Sequence, residues 1–129
     1  MRETVTATGM VIKSAPSGEY DKRLVILTRE RGKITAFARG ARRPGNALMA
    51  SGRPFVFGSF RLFEGRDAYT LHSAEITNYF HEIAADMEAA CYGSYFLEIA
   101  DYYSRENVDA TDLLKLLYQS LRALENKSL

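Results

Sequence analysis

A cysteine nucleophile with a histidine base, or a Cys/His zinc site, would in this 129-residue chain have to be drawn from its one cysteine, Cys91, and its two histidines, His72 and His81. Cys91 falls on an apolar run with helical spacing, so it is expected as a buried small hydrophobe and not as a nucleophile. His72 is expected on a strand, facing solvent or a barrel rim, and His81 at a strand-to-helix junction in a capping role. Together they are one ligand short of a tetrahedral zinc site, and they are widely spaced. Glu19 and Asp21 stand two apart before a strand; such carboxylates bond backbone N–H groups in turns or pair with neighbours such as Lys22 and Arg23. Neither GxxxxGK[ST] nor GxGxxG occurs. No catalytic role is expected.

The chemistry this sequence does offer is polyanion binding. Thr28 to Arg43 (TRERGKITAFARGARR) carries Arg29, Arg31, Lys33, Arg39, Arg42 and Arg43 against a single acid, Glu30. Within it, Lys33 to Arg39 alternates with period two, so Lys33, Thr35, Phe37 and Arg39 share one face and Ile34, Ala36 and Ala38 the other. Two cations flanking a phenyl ring form a surface suited to phosphates and stackable bases. A half-buried strand with solvated charges has the same pattern, and Phe37 could instead pack beneath the neighbouring loop. Arg42 and Arg43 lie in a loop punctuated by Pro44 and Gly45, where phosphate contact is their best single use.

Charge is distributed to match. Residues 1–80 hold 13 Lys and Arg against 7 Asp and Glu, and residues 81–129 hold 4 against 9, so the net +1 conceals a basic first part and an acidic second. Only the first is expected to meet nucleic acid. One cysteine excludes an internal disulfide framework. No apolar run approaches the ~20 residues of a membrane span, and MRETVTATG is not a signal-peptide start. The expected address is cytoplasmic, with no membrane and no small-molecule substrate.

Strands are expected to position the basic stretch. Val5 to Lys13 is β-prone, with Gly9 as a bulge or bend, and Ala15 to Gly18 reads as a turn. Lys22 to Thr28 is apolar on both faces and therefore central. Arg29 to Gly32 is short enough to join it to the next strand as a hairpin, laying Arg23, Arg29, Lys33 and Arg39 along one ribbon. Ala47 to Ser51 forms one helical turn. Phe55 to Phe63 and Ala68 to Ile76 supply two more strands, with a bend at Gly58. Five short strands with a helical insertion before the fourth predict a small closed barrel.

Near Asn78 the period changes. Phe80, Ile83, Met87, Ala90, Cys91, Ser94, Tyr95, Leu97 and Glu98 predict a helix with one buried stripe, opened by Asp86 and closed at Arg105-Glu106-Asn107. Gly93 in its middle predicts close packing against a neighbour. A second helix begins near Asp109 or Thr111, and its leucines (Leu113, Leu114, Leu116, Leu117, Leu121, Leu124) cover more than half its circumference. A helix that broad, followed only by Asn126 to Leu129, is expected to be a piece of a larger helical domain, with pairing between two chains as the alternative.

The pattern GMVIKSAPSGEYDKRLVILTRERGKITAFARGARRPGNALMASGRPF, followed by FRLFEGRDAYTLHSAEI, resembles the N-terminal part of the bacterial recombination mediator and DNA repair family RecO. Gly18 to Asp21, Leu27-Thr28, Gly32-Lys33, Ala38 to Pro44 and Thr70-Leu71 carry the resemblance, which continues through YGSYFLEIADYY and LLKLLYQSLRAL. It implies a β barrel plus α architecture: a five-stranded OB-fold (1–79) followed by an incomplete α-helical domain (80–129). It also implies binding of single- and double-stranded DNA, strand annealing, partnership with RecR and the single-stranded DNA-binding protein SSB, and help in loading RecA, at a nucleoid-associated address. No cofactor is expected, since the family's zinc-binding cysteine cluster, where present, would lie beyond Leu129. The expected DNA-binding set is Arg23, Arg29, Arg31, Lys33, Phe37, Arg39, Arg42 and Arg43. The alternative is a protein-interaction module that docks a repair partner without touching DNA.

Overall fold

The computed structural model describes residues 3–106 and 108–126. Asn107, expected at the end of the first long helix, and residues 127–129, expected to follow the second, lie outside the described residues. Five strands, β1 (Thr4–Ser17), β2 (Asp21–Thr28), β3 (Gly32–Ala38), β4 (Phe57–Glu64) and β5 (Tyr69–Asn78), close into a barrel in the order β1-β2-β3-β5-β4. Neighbours are antiparallel except β3 and β5, which pair in parallel through Ala36 with Tyr69 and Phe37 with Thr70. A five-stranded barrel with a helical turn, α1 (Leu48–Ser51), between its third and fourth strands is the OB-fold.

β1 runs four residues further than expected, through Pro16 to Ser17, which pairs with Asp21. Proline is tolerated there because β4 pairs β1 only from Thr4 to Met10, so Pro16 leaves no ladder hydrogen bond unmade on that side. The bulge in β1 falls between Val11 and Lys13 and not at Gly9. Gly9 serves close approach instead: it pairs with Gly58 across β1 and β4. A Cβ on either would run into the next strand's backbone, at the Leu27 and Glu75 carbonyls respectively. A register shift beside Gly58 supplies the bend expected in β4.

β2 is apolar on both faces because it borders two cores. Leu24 and Ile26 point into the barrel with Val11, Ile34, Ala36, Phe60, Leu62 and Leu71. Val25 and Leu27 join Met10 and Ile12 on the outside, beneath Phe80, Ile83, Leu97, Leu114, Leu117 and Leu121 of the helical segment. That segment comprises α2 (His81–Ala85), α3 (Met87–Tyr103) and α4 (Thr111–Glu125). Burial on this scale, about 25 cal/mol per Å² of apolar surface, joins helices and barrel through one shared core.

Two helix expectations need correction. His81 does not cap: Asn78 Oδ1 accepts from the Phe80 N–H at 2.8 Å, and the His81 ring stacks on Tyr79 at 5.0 Å. The buried side of α3 is Gly93, Leu97 and Ala100. Cys91 is exposed, as are Met87 (85%) and Tyr95 (61%), on the opposite face with Ser94 and Glu98. Apolar residues surround α3 almost completely, so spacing alone could not choose between the two stripes. Asp86 does cap α3, accepting from the Ala89 N–H at 3.0 Å. Gly93 abuts the Phe55 ring, where a Cβ would come within 2.8 Å of Cε1. On α4, Leu114, Leu117, Leu121 and Leu124 are buried, whereas Leu116 is exposed.

Candidate nucleic-acid interface

The β2–β3 hairpin forms as its sequence predicts, with Arg23 opposite Phe37, Val25 opposite Thr35 and Leu27 opposite Lys33. Gly32, at φ 66°, closes its turn. The eight expected DNA-binding residues do not form one continuous ribbon. They fall at the two ends of the hairpin, roughly 20 Å apart at about 3.3 Å per residue.

At the turn end the cations already have partners within the chain, from α3, from the turn itself and from β5. Lys33 Nζ contacts both Asp101 Oδ1 and the Asp101 carbonyl at 3.1 Å, and Lys13 Nζ contacts Asp101 Oδ2 at 3.0 Å. Burial works to raise the Asp101 pKa, but hydrogen bonds and charge from Lys13 and Lys33 outweigh it and hold the carboxyl below its ordinary range. Arg29 Nε pairs with Glu30 Oε2 at 3.2 Å, while Glu30 Oε1 accepts from the Thr8 N–H at 3.0 Å. The turn backbone is clasped as well. The Lys33 N–H donates to the Arg105 carbonyl, and the Arg29 carbonyl accepts from the Ala110 N–H, both at 3.1 Å. Arg31 Nη1 donates to the Tyr69 hydroxyl at 3.3 Å, with its guanidinium 6.0 Å from that ring's centroid.

The open end is built differently. Asp21 Oδ1 accepts from the Gly40 N–H at 2.7 Å, which fixes the start of the β3–α1 loop and occupies a carboxylate oxygen in doing so. The Arg42 N–H donates to the Tyr20 carbonyl at 2.8 Å and its Nη1 to the Gly18 carbonyl at 3.2 Å. These bonds fasten the loop to the β1–β2 turn. The Arg43 guanidinium lies 4.0 Å over the Tyr20 ring, a cation–π contact that orients it. Arg23, Arg39, Arg42 and Arg43 are exposed, and Phe37 is half-buried on the outer face of β3, outside both buried clusters.

Sequence reasoning missed three members of this end: Tyr20, Lys22 and Arg53. Burial first, and then the charges of Arg53 and Arg42, lower the Lys22 pKa, so these cations sit close enough to repel. Arg53 lies ten residues past Arg43 behind a helical turn, and no local pattern ties it to the loop. Tyr20 has a signal only in hindsight, as the aromatic residue between Glu19 and Asp21. Among the described residues no three His, Cys, Asp or Glu side chains are grouped as a metal site.

A closed OB barrel with a basic loop end and helices fused along one side belongs to a class of folds that commonly grip nucleic acid. Residues 1–80 match the family model described as Recombination protein O N terminal, so this chain belongs to the RecO family. It is 37% identical to the DNA repair protein RecO of Acetivibrio thermocellus over 91% of this chain and 47% of that protein. It is 34% identical to that of Alkaliphilus metalliredigens over 97% and 51%, and 33% identical to that of Bacillus pumilus over 93% and 47%. The chain spans about half the length of the curated relatives it matches.

Proposed function

We propose that this chain is the DNA-binding part of a recombination mediator that works in DNA repair. The barrel, 1–79, is the nucleic-acid unit, and 80–129 is the start of a helical domain. One observation carries the reading: Arg42 and Arg53 stand close enough to Lys22 to lower its pKa, at a loop end that also carries the exposed Arg39 and Arg43 and where one oxygen of Asp21 is taken by the Gly40 N–H. Cations held near one another at a cost in repulsion suit a ligand with repeated negative charge. Phosphates of single- or double-stranded DNA would be neutralised there, with counterion release making affinity steeply salt-dependent. Phe37 adds sequence-tolerant stacking. Annealing needs no bond chemistry, since two strands on one cationic surface repel each other less. Loading of RecA together with RecR on SSB-coated DNA follows from the family's mediator role. The test is fluorescence anisotropy of a labelled oligonucleotide with Arg39, Arg42 and Arg43 changed to glutamate. The expected result is lost affinity with a shallower salt slope; unchanged affinity removes the loop from the mechanism.

A protein-docking reading is favoured by a different feature, the uncovered face of α3 carrying Met87, Cys91 and Tyr95. A RecR or SSB contact made mainly through that face would persist in a pull-down at salt that strips DNA.

A further inference from the structure

One row of side chains crosses the barrel's outer surface on the side away from α3 and α4. Arg23 of β2 is opposite Phe37 of β3, Phe37 is opposite Thr70 of β5, Thr70 is opposite Phe63 of β4, and Phe63 is opposite Thr4 of β1. Alternation places all of them outward, because Ala36, Leu62 and Leu71 between them point into the barrel core. Beside this row the β4–β5 ladder slips between Arg61 and Leu62, leaving His72 as an extra residue on β5. A bulge of this kind re-aims a side chain. Here it leaves both His72 and Ser73 exposed, and the His72 ring meets the Phe63 ring edge-on at 5.1 Å and 64°. Exposed charged groups next to the rings include Arg23 and Arg39 near Phe37, and Arg61 and Glu64 near Phe63.

We propose that His72, braced by Phe63, is a second base-stacking residue, and that a single strand of DNA crosses the barrel from Phe37 over Thr70 to His72. This inference rests on the DNA-binding reading above and gives the strand a path. Phe37 and Phe63 are two strand spacings apart, about 10 Å, so separate bases occupy the two ring sites. Thr70 between them is small enough to let the sugar–phosphate chain pass. Arg23 and Arg61 meet phosphates at either end of the crossing. The bulge explains why two consecutive residues of β5 face solvent where a regular strand would bury one of them.

The experiment compares an oligothymidine with an abasic oligonucleotide of equal length and charge, each binding the full 129-residue chain. His72→Ala and Phe37→Ala are each expected to weaken oligothymidine binding by about tenfold, the scale of one lost base–aromatic stack. Both are expected to leave abasic binding where it was, and His72→Phe, which keeps a ring, is expected to restore oligothymidine binding. Equal losses on the two oligonucleotides for His72→Ala, or no loss on either, overturn the proposal while leaving DNA binding intact. A wild-type chain that binds neither oligonucleotide overturns the DNA-binding reading itself, and this inference with it.

Discussion

Lys33 Nζ and Asp101 Oδ1 stand 3.1 Å apart although 68 residues separate them, and Lys13 reaches the other oxygen of the same carboxylate. One acid of α3 thus ties two barrel strands to the helical segment. Side-chain exposure is 21% at Asp101 and 29% at Lys33, so solvent screens this pair less than a surface pair.

The first prediction concerns acid stability. The Asp101 pKa is lower in the folded chain than in the unfolded one, so its contribution is fully present above the unfolded value, 3.8, and is lost as pH falls through the folded value. Asp101→Asn is expected to lower stability at pH 7 by about 1 kcal/mol. The gap between wild type and variant should then close as pH is taken from 5 towards 2. Urea midpoints measured across that range decide it. A gap that stays constant would show that the carboxylate charge is not what joins the strands to α3.

The Lys33 contact also shows where sequence legibility ended. The alternation of Lys33 to Arg39, the two apolar faces of β2 and the Asp86 cap are local patterns, and each is present as expected. Which cations stay free is a matter of tertiary neighbours. Lys33 and Arg39 have the same place in the pattern, yet Lys33 lies under α3 and Arg39 lies beyond the strand in solvent. Nothing within several residues of either distinguishes them. α3 posed a different problem: Ala89, Gly93 and Leu97 follow helical spacing as well as Met87, Cys91 and Tyr95 do. The deciding contact is Gly93 against Phe55, 38 positions earlier.

That contact gives the second prediction. Alanine would raise intrinsic helix propensity at Gly93 by about 1 kcal/mol. Its Cβ, however, would stand 2.8 Å from Phe55 Cε1 and 3.1 Å from Ile83 Cγ2. Phe55 is buried and held at φ 75°, so its ring has little room to retreat. Overpacking of this kind costs about 1–3 kcal/mol, and Gly93→Ala is expected to be net destabilising. Ser94→Ala, one residue further and exposed, should be neutral or slightly stabilising. Denaturant unfolding of the two variants makes the comparison; a stabilised Gly93→Ala would mean the interface is looser than this packing.

A third prediction separates stability from binding at the loop end. Burial and the charges of Arg53 and Arg42 hold the Lys22 pKa below 10.5. A lysine whose pKa is lowered by folding weakens the fold while it stays charged, and that cost fades as pH rises through the folded value towards the unfolded one. Arg53→Gln removes one repelling charge, so at neutral pH the fold should gain roughly 0.5 kcal/mol or less. The same substitution should weaken oligonucleotide binding and make its salt slope shallower. Opposite signs in the melting and binding assays are the expected signature of cations assembled for a polyanion. Two changes in the same direction would argue that Arg53 is structural.

The last prediction returns to Asp101 and asks which cations DNA can use. Lys13 and Lys33 already share an anion, so in the folded chain phosphates must compete with Asp101 for them. Neutralising that acid leaves two ammonium groups without their carboxylate at the turn end of the hairpin, roughly 20 Å from the open loop end at about 3.3 Å per residue. If DNA spans both ends, Asp101→Asn should tighten binding at low salt and steepen the slope of log affinity against log salt. Each recruited single-strand phosphate contact adds about 0.7. If DNA occupies only the loop end and the outer face of β3, β5 and β4, Asp101→Asn should leave both affinity and slope unchanged, and only substitutions at the loop end and on that outer face should alter them. Anisotropy titrations at four or more salt concentrations distinguish these outcomes. Oligonucleotide length adds a second axis, because a short strand cannot bridge the two ends and should not respond to Asp101→Asn in either case.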